Sequence, residues 1–122
     1  CSQWQSEIER FAPWMSTITL HSGENPTLEE IASTDIVIAS TFLLQKSPAL
    51  LSKLRRIHFH RIFVDEAHYN QTGEKIKLSL SSLSASHRYC LTGTPIGHSL
   101  ADLYGQLRFL RIPQFCRPGF WK

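Results

Sequence analysis

Ile62, Phe63 and Val64 form a short continuous apolar run, and Asp65 and Glu66 follow it at once. This pairing constrains the fold more than any other stretch of the chain. A run of this kind suits a strand buried on both faces, as in a parallel sheet. Neighbouring residues of a strand point to opposite faces. Asp65 and Glu66 can therefore share one crevice only where the strand ends and the chain turns. In open α/β sheets that carboxyl edge is where ligands bind. Two adjacent acids at a buried strand end are costly unless a cation, a water or a donor compensates them. The chemistry that fits best is a hydrated Mg²⁺ held through one carboxylate, with the other orienting or deprotonating a water. The plain structural alternative is a salt-bridged strand end.

The surrounding chain sets the frame. With 122 residues it is long enough for one core and too short for two. Hydrophobic residues make up 42%, a globular composition. The formal charge is 13 − 10 = +3, which permits a nucleic-acid partner without demanding one. No apolar stretch approaches the ~20 residues of a membrane span, and no signal-peptide pattern occurs. The chain starts at Cys1 and has its one methionine at Met15, so it reads as an internal segment. Cys1, Cys90 and Cys116 are odd in number and widely spaced. They suggest a reducing compartment, not a disulfide framework or a zinc finger.

Elsewhere the pattern alternates between helix and strand. Trp4, Ile8 and Phe11 mark one face of a helix over residues 2–12, closed by Pro13. Residues 16–20 are β-prone, and Thr27 is placed to cap a short helix whose early acids, Glu29 and Glu30, suit its dipole. Ile36 to Ala39 is a second apolar run, with Ser40 and Thr41 at its carboxyl end. Small hydroxyls there suit phosphate oxygens, and they suit a helix N-cap equally well. Residues 48–60 begin as a helix at Pro48, with Leu50, Leu51, Leu54 and Ile57 apolar and Lys53, Arg55 and Arg56 on a solvated face. His58 and His60 would share a face in a strand, but no further ligand stands at metal-site spacing. No His-Glu-x-x-His occurs, which argues against a metalloprotease. Residues 74–84 place Ile76, Leu80 and Leu83 on one helical stripe, and Arg88 to Leu91 reads as another short strand. The Thr92-Gly93-Thr94-Pro95 turn ends it, Gly93 supplying backbone freedom. Ser99 caps a last helix running to about Arg111, with Leu100, Leu103, Tyr104 and Leu107 as its apolar face. The tail sets Phe115, Phe120 and Trp121 among Arg111, Arg117 and Lys122, a mixture that can stack bases but more often docks on its own domain. Strands alternating with helices point to an α/β parallel sheet.

Asp65-Glu66-Ala67-His68 resembles the acidic box of superfamily-two helicases and related ATPases. Roughly two dozen residues on, Leu91-Thr92-Gly93-Thr94-Pro95-Ile96 resembles the next motif of the Swi/Snf-type branch, trailed by Asp102-Leu103-Tyr104 and Phe109-Leu110. The closing stretch is most similar to members that pair this motor with a RING finger ubiquitin ligase. Gln3, Trp4 and Glu7 match the family's Gln-Trp-x-x-Glu helix, although core packing is the commoner role of such a Trp. The resemblance implies a three-layer RecA-like, P-loop-NTPase-type sheet with helices on both faces, incomplete at the N-terminus. Residues 1–122 would be part of a helicase ATP-binding domain, the first RecA-like lobe, without its phosphate-binding loop.

The resemblance also implies roles. Asp65 helps hold Mg²⁺ through water, and Glu66 polarises the water that attacks the γ-phosphate of ATP. His68 links the nucleotide site to the nucleic-acid site or the second lobe. Thr92 and Thr94, flanking Gly93, form a hydroxyl bridge to the moving parts, and Ser40 and Thr41 touch a nucleic-acid phosphate. The implied partners are double-stranded DNA, the second RecA-like lobe, and chromatin or ubiquitin-pathway proteins, in the nucleus. Gly-x-x-x-x-Gly-Lys-Thr/Ser is absent, so nothing in the chain cradles the β- and γ-phosphates, and residues 1–122 alone should be inactive. Gly97-His98 stands where the family has Gln-Asn, and Tyr69-Asn70-Gln71 where it has an apolar-basic segment. Both departures bear on the contacts between the motifs, and Gly97-His98 argues for an alternative, a degenerate lobe kept as a protein-interaction module, against which the box residues stand. An RNA helicase is disfavoured, since those enzymes carry Ser-Ala-Thr in place of Thr-Gly-Thr.

Overall fold

The computed structural model describes residues 2–68, 80–97 and 103–116. They fall into two compact units, Cys1–Leu54 and Arg55–Lys122.

The first unit opens with α1 (Ser2–Phe11), the helix its spacing predicts. None of its residues is buried, and Trp4 and Phe11 are 40% and 64% exposed, so core packing is not the role of this Trp within the described structure. Strand β1 (Thr17–Leu20) lies parallel to β2 (Ile36–Ala39), with Thr17 opposite Ile36 and Leu20 opposite Ala39. Between them the chain turns at Gly23, whose φ of 87° is one that glycine adopts without a Cβ clash. It then enters α2 (Leu28–Ala32) through a complete capping box: Thr27 Oγ1 accepts from Glu30 N–H, and the Glu30 carboxylate accepts from Thr27 N–H. Ser40 caps α3 (Thr41–Lys46), and Ser47 caps α4 (Pro48–Arg55), where Pro48 takes the first-turn position that needs no donor. Leu20, Ile31, Leu43, Leu44, Leu50, Leu51 and Leu54 are the buried side chains of this unit. Lys53 leaves the solvated face expected of it, since its Nζ donates to Asn25 Oδ1 and Pro26 O, both at 2.6 Å.

In the second unit β3 (His58–Val64) runs parallel to β4 (Ser84–Cys90). Both strands begin earlier than their apolar runs. The ladder pairs His58 with Ser84 and Phe59 with Ala85, so cross-strand hydrogen bonding, not side-chain hydrophobicity, recruits the polar ends. The helix expected over 48–60 accordingly stops at Arg55, and the one expected over 74–84 ends before Ser84. Residues 69–79 lie outside the described residues, but Leu80 and Leu83 are buried as their stripe predicts. The strand is not buried on both faces. Phe63 is 54% exposed and stacks on Tyr89 at a centroid distance of 4.7 Å.

Helix α5 (Leu103–Phe109) is present, whereas Ser99 and Leu100 lie outside the described residues. Its buried positions are Gly105, Gln106 and Phe109, while Leu103, Tyr104 and Leu107 are half-buried. The predicted face is therefore rotated. Gln106 can be buried because its side-chain amide finds an acceptor, and Phe109 is covered by the Arg88 guanidinium at 5.1 Å. A short 3₁₀ turn, Pro113–Cys116, follows, and Phe120, Trp121, Arg117 and Lys122 are outside the described residues. Among the described residues the strands form two parallel pairs, β1–β2 and β3–β4.

One polar brace sets the start of the first pair. Ser16 N–H and Oγ–H both donate to Asp35 Oδ2 at 2.8 Å, and Asp35 N–H returns a bond to Ser16 Oγ at 2.9 Å. The Ser16 backbone bond first, then its hydroxyl, holds the Asp35 carboxyl below its ordinary pKa of 3.8. A lowered folded-state value adds stability above the ordinary value that is lost as pH falls through the folded one. Asp35→Asn is therefore expected to lower the melting temperature at neutral pH, with the gap to the wild type closing as acid is added below pH 3.8. Thermal unfolding followed by circular dichroism across that range checks it.

Candidate active site

The site begins where β3 runs out. The ladder continues one step past the strands: Leu91 N–H donates to Val64 O at 2.9 Å, and Ala67 N–H donates to Leu91 O at 3.0 Å. These two bonds pin the turn after β3 to the turn after β4. Between them Asp65 and Glu66 bend the chain. Glu66 has a φ of 48°, a left-handed conformation that costs a non-glycine residue of order 1–2 kcal/mol. Asp65 Oδ1 offsets part of that by accepting from Glu66 N–H at 2.9 Å. Ala67 is then only 1% exposed, so a small residue suits this position.

His68 returns to the acids. Its Nδ1 lies 2.7 Å from Thr92 Oγ1 and 3.3 Å from Glu66 Oε2. Thr94 N–H donates to the same Thr92 Oγ1 at 3.2 Å. Glu66, His68, Thr92 and Thr94 thus form one connected polar chain, with Asp65 joined through the Glu66 amide. Thr92 enters it through its hydroxyl and Thr94 through its backbone, whereas the sequence had both hydroxyls bridging. Gly93 does not adopt a left-handed φ, and a Cβ there would meet nothing within 4 Å, so the backbone freedom expected of it is not used.

The acids are not buried. Asp65 is exposed, and the Glu66 side chain is 60% exposed. The desolvation penalty that the sequence argument raised does not arise, because the strand end opens to solvent. An exposed carboxylate whose Oδ1 is fixed by a backbone amide fits a magnesium ion that keeps its waters, a binding mode that needs only one or two carboxylates. Among the described residues no group of three or more His, Cys, Asp or Glu could hold a metal directly.

Apolar packing supports the rim. Val64, Ala67, Leu80, Cys90, Gly105, Gln106 and Phe109 surround a small cavity beneath it. Gln106, only 7% exposed, donates to Pro95 O at 2.9 Å and so ties α5 to the turn that carries Thr92 and Thr94. Sequence reasoning missed Gln106, for which the available signal was a lone amide flanked by apolar helix positions. Burial pushes the Cys90 thiol up to about 11, which leaves it protonated and unsuited to nucleophilic work. Arg88 donates to Leu83 O, and Arg111 donates to Ser81 O and Leu83 O at 3.0 and 3.3 Å. Burial, then the neighbouring Arg111 charge, draws the Arg88 pKa below its ordinary value.

Two further histidines of the second unit sit toward the start of β3 and have partners of their own. His58 uses both ring nitrogens on Ser84 and Ser86 hydroxyls, at 2.7 and 2.9 Å, and His60 meets the His87 ring at 5.2 Å. In the first unit, Ser40 Oγ accepts from Leu43 N–H at 3.1 Å, the helix-capping use that was one of its two readings, and Thr41 is the first residue of α3.

A protein-family model described as the SNF2-related domain matches residues 1–122. The chain belongs to this family. Among SNF2-related proteins it is 34% identical to DNA repair protein RAD5A of Arabidopsis thaliana over 128 residues, which covers 98% of this chain and 12% of that protein. It is 31% identical to transcription regulatory protein SNF2 of Saccharomyces cerevisiae over 116 residues, covering 89% of this chain and 7% of the other. Among solved structures it matches the Sulfolobus solfataricus SWI2/SNF2 ATPase core in complex with dsDNA, with a TM-score of 0.75, 27% identity, and coverage of 90% and 22%. The chain therefore spans about an eighth of the length of RAD5A. The fold is that of part of the RecA-like SWI2/SNF2 ATPase core, as the sequence resemblance implied, and RAD5-named proteins are among the relatives.

The Gln106 bond gives a stability test. Gln106→Met keeps the volume and removes the donor, and it is expected to cost about 0.5–1.5 kcal/mol, the worth of one buried neutral hydrogen bond. A lowered denaturant midpoint at unchanged slope is the checking observation.

Proposed function

We propose that the intact protein carrying this chain hydrolyses ATP in a DNA-dependent manner and couples the hydrolysis to movement along double-stranded DNA, in repair or chromatin remodelling. The observation that carries this reading is the Glu66–His68–Thr92 contact at the rim of two adjacent parallel strands, in a chain that belongs to the SNF2-related family. Residues 1–122 form part of the first RecA-like lobe. The phosphate-cradling loop and the second lobe come from elsewhere in the protein.

Each residue has a distinct task. The Asp65 carboxylate, oriented by its bond to Glu66 N–H, would hold Mg²⁺ through water. When bound, that ion supplies charge neutralisation for phosphoryl transfer. Glu66 orients the attacking water and accepts its proton. His68 and Thr92 connect the base to the turn that ends β4, which Thr94 and Gly93 complete. Ser40 and Thr41, at the carboxyl end of β2, contact a nucleic-acid phosphate through hydroxyl or amide. The relatives named DNA repair proteins support the repair part of this reading. Chromatin or ubiquitin-pathway partners and a nuclear location belong to the same proposal. No helix among the described residues is long and apolar enough to cross a membrane.

Glu66→Gln in the intact protein is expected to lower ATP turnover by about 10²–10⁴-fold, roughly 3–5 kcal/mol of barrier, with ATP binding retained. Wild-type turnover in that variant would remove Glu66 as the base, whereas an intact protein with no ATP turnover of its own would favour the interaction-module reading. Residues 1–122 on their own are expected to show no ATPase above background, and DNA-stimulated phosphate release from them would contradict the assignment of the phosphate-cradling loop to another segment.

A further inference from the structure

Three guanidinium groups close on one exposed serine. Arg55 Nε donates to Ser82 Oγ at 2.7 Å. Arg111 Nη2 donates to the carbonyls on either side of that serine, Ser81 O at 3.0 Å and Leu83 O at 3.3 Å, and Arg88 donates to Leu83 O as well. The one ion pair between described residues is His68 with Glu66, so none of these arginines has a carboxylate partner among them. The sequence explains the imbalance: residues 36–64 and 75–101, which supply β3 and β4, contain no Asp or Glu. Like charges this close repel, and burial with the Arg111 charge already draws the Arg88 pKa down. A negative group at Ser82 would relieve that repulsion.

The position is specific. Ser81 Oγ is buried, Ser84 is half-buried, and the exposed Ser86 faces the His58 ring. Of these four serines, Ser82 combines exposure with a guanidinium on its hydroxyl. It follows the helical residues Leu80 and Ser81, and the carbonyl end of a helix repels an anion. Here the carbonyls of Ser81 and Leu83 are already met by Arg111 and Arg88, so the arginine contacts decide the sign. A free oxyanion would have to displace Ser82 Oγ from Arg55, whereas a phosphoryl group carried by that oxygen brings its own oxygens to the same guanidinium.

We propose that Ser82 is a phosphoacceptor whose phosphate is received by Arg55, with Arg88 and Arg111 behind it. The donor is a nucleoside triphosphate bound to a protein kinase. The bond from Ser82 Oγ to the γ-phosphorus forms as the bond to the bridging oxygen breaks, the hydroxyl proton passes to a base of the kinase, and the nucleoside diphosphate leaves. The modification adds a charge of about −1.5 to −2 at the start of β4, the end of the strand pair away from Asp65 and Glu66. It therefore stands independently of the roles proposed for those acids.

Two measurements on the intact protein test it. In protein purified from its own cells, mass spectrometry of the tryptic peptide 78–88 is expected to place phosphate on Ser82. A peptide without phosphate, or with it only on another serine, would overturn the assignment. In protein made with phosphoserine at position 82, ³¹P resonance titration is expected to show the second phosphate pKa lowered from about 6 to about 5. A lowered folded-state value adds stability that is lost as pH falls through it, so the phosphorylated protein is expected to melt higher than the unmodified one at neutral pH, with the gap closing below about pH 5. Arg55→Gln leaves the bonds to Ser81 O and Leu83 O in place and is expected to return the phosphate toward its ordinary value. An unshifted phosphate, or a shift that survives Arg55→Gln, would overturn the proposal. Inorganic phosphate added to unmodified protein separates a second source of the same chemistry. An equal gain in melting temperature there, lost in Arg55→Gln, would make the arginines an open oxyanion site and sink the modification.

Discussion

Two backbone hydrogen bonds beyond the regular strands hold this site together. Leu91 N–H to Val64 O and Ala67 N–H to Leu91 O continue the β3–β4 ladder into the turns. Without them the acidic box and the Thr-Gly-Thr-Pro turn would be two loops ending two strands, with no fixed separation. With them, the residues after Val64 and after Cys90 meet at hydrogen-bonding distance. The left-handed Glu66 follows from the same constraint, since the chain must reverse within two residues to bring Ala67 back to Leu91. A bend that tight is normally left to glycine, and its occurrence at a carboxylate ties backbone strain to the residue with the chemical role.

Below the rim, apolar and polar packing divide the work. Val64, Ala67 and Phe109 are buried on the underside, and Gln106, the one buried polar side chain among the described residues, donates to the Pro95 carbonyl. The acids stay in solvent above. Within this chain neither of the two adjacent carboxylates bears a burial cost, and both are open to a hydrated cation. A strand end half in and half out of the core thus offers rigid backbone and accessible charge within a few residues.

Much of this was legible in the chain. The cap at Thr27, the capping use that was one reading of Ser40, and the apolar runs of β2 and β3 are local signals, and the structure places helices and strands where they stand. Errors clustered where a distant partner decided the outcome. Ser84 to Ser86 carry no strand signal of their own and are strand only because they pair with His58 and Phe59. The buried face of α5 differs from its apolar stripe because Gln106 is buried, and the acceptor that permits this sits eleven residues away in sequence.

The sequence by itself determined the order of helices and strands, the chemical identity of the acidic box and the threonine turn, and the family to which they belong. These depend on residue types at short spacing, which propensity, capping and motif order express directly. Only the tertiary structure decided that Thr92 uses its hydroxyl where Thr94 uses its amide, that the two acids stand in solvent, and that His68 faces both Glu66 and Thr92. Those outcomes depend on strand register and on the direction of the turns. Both are set by pairing between segments more than twenty residues apart, which no local pattern records.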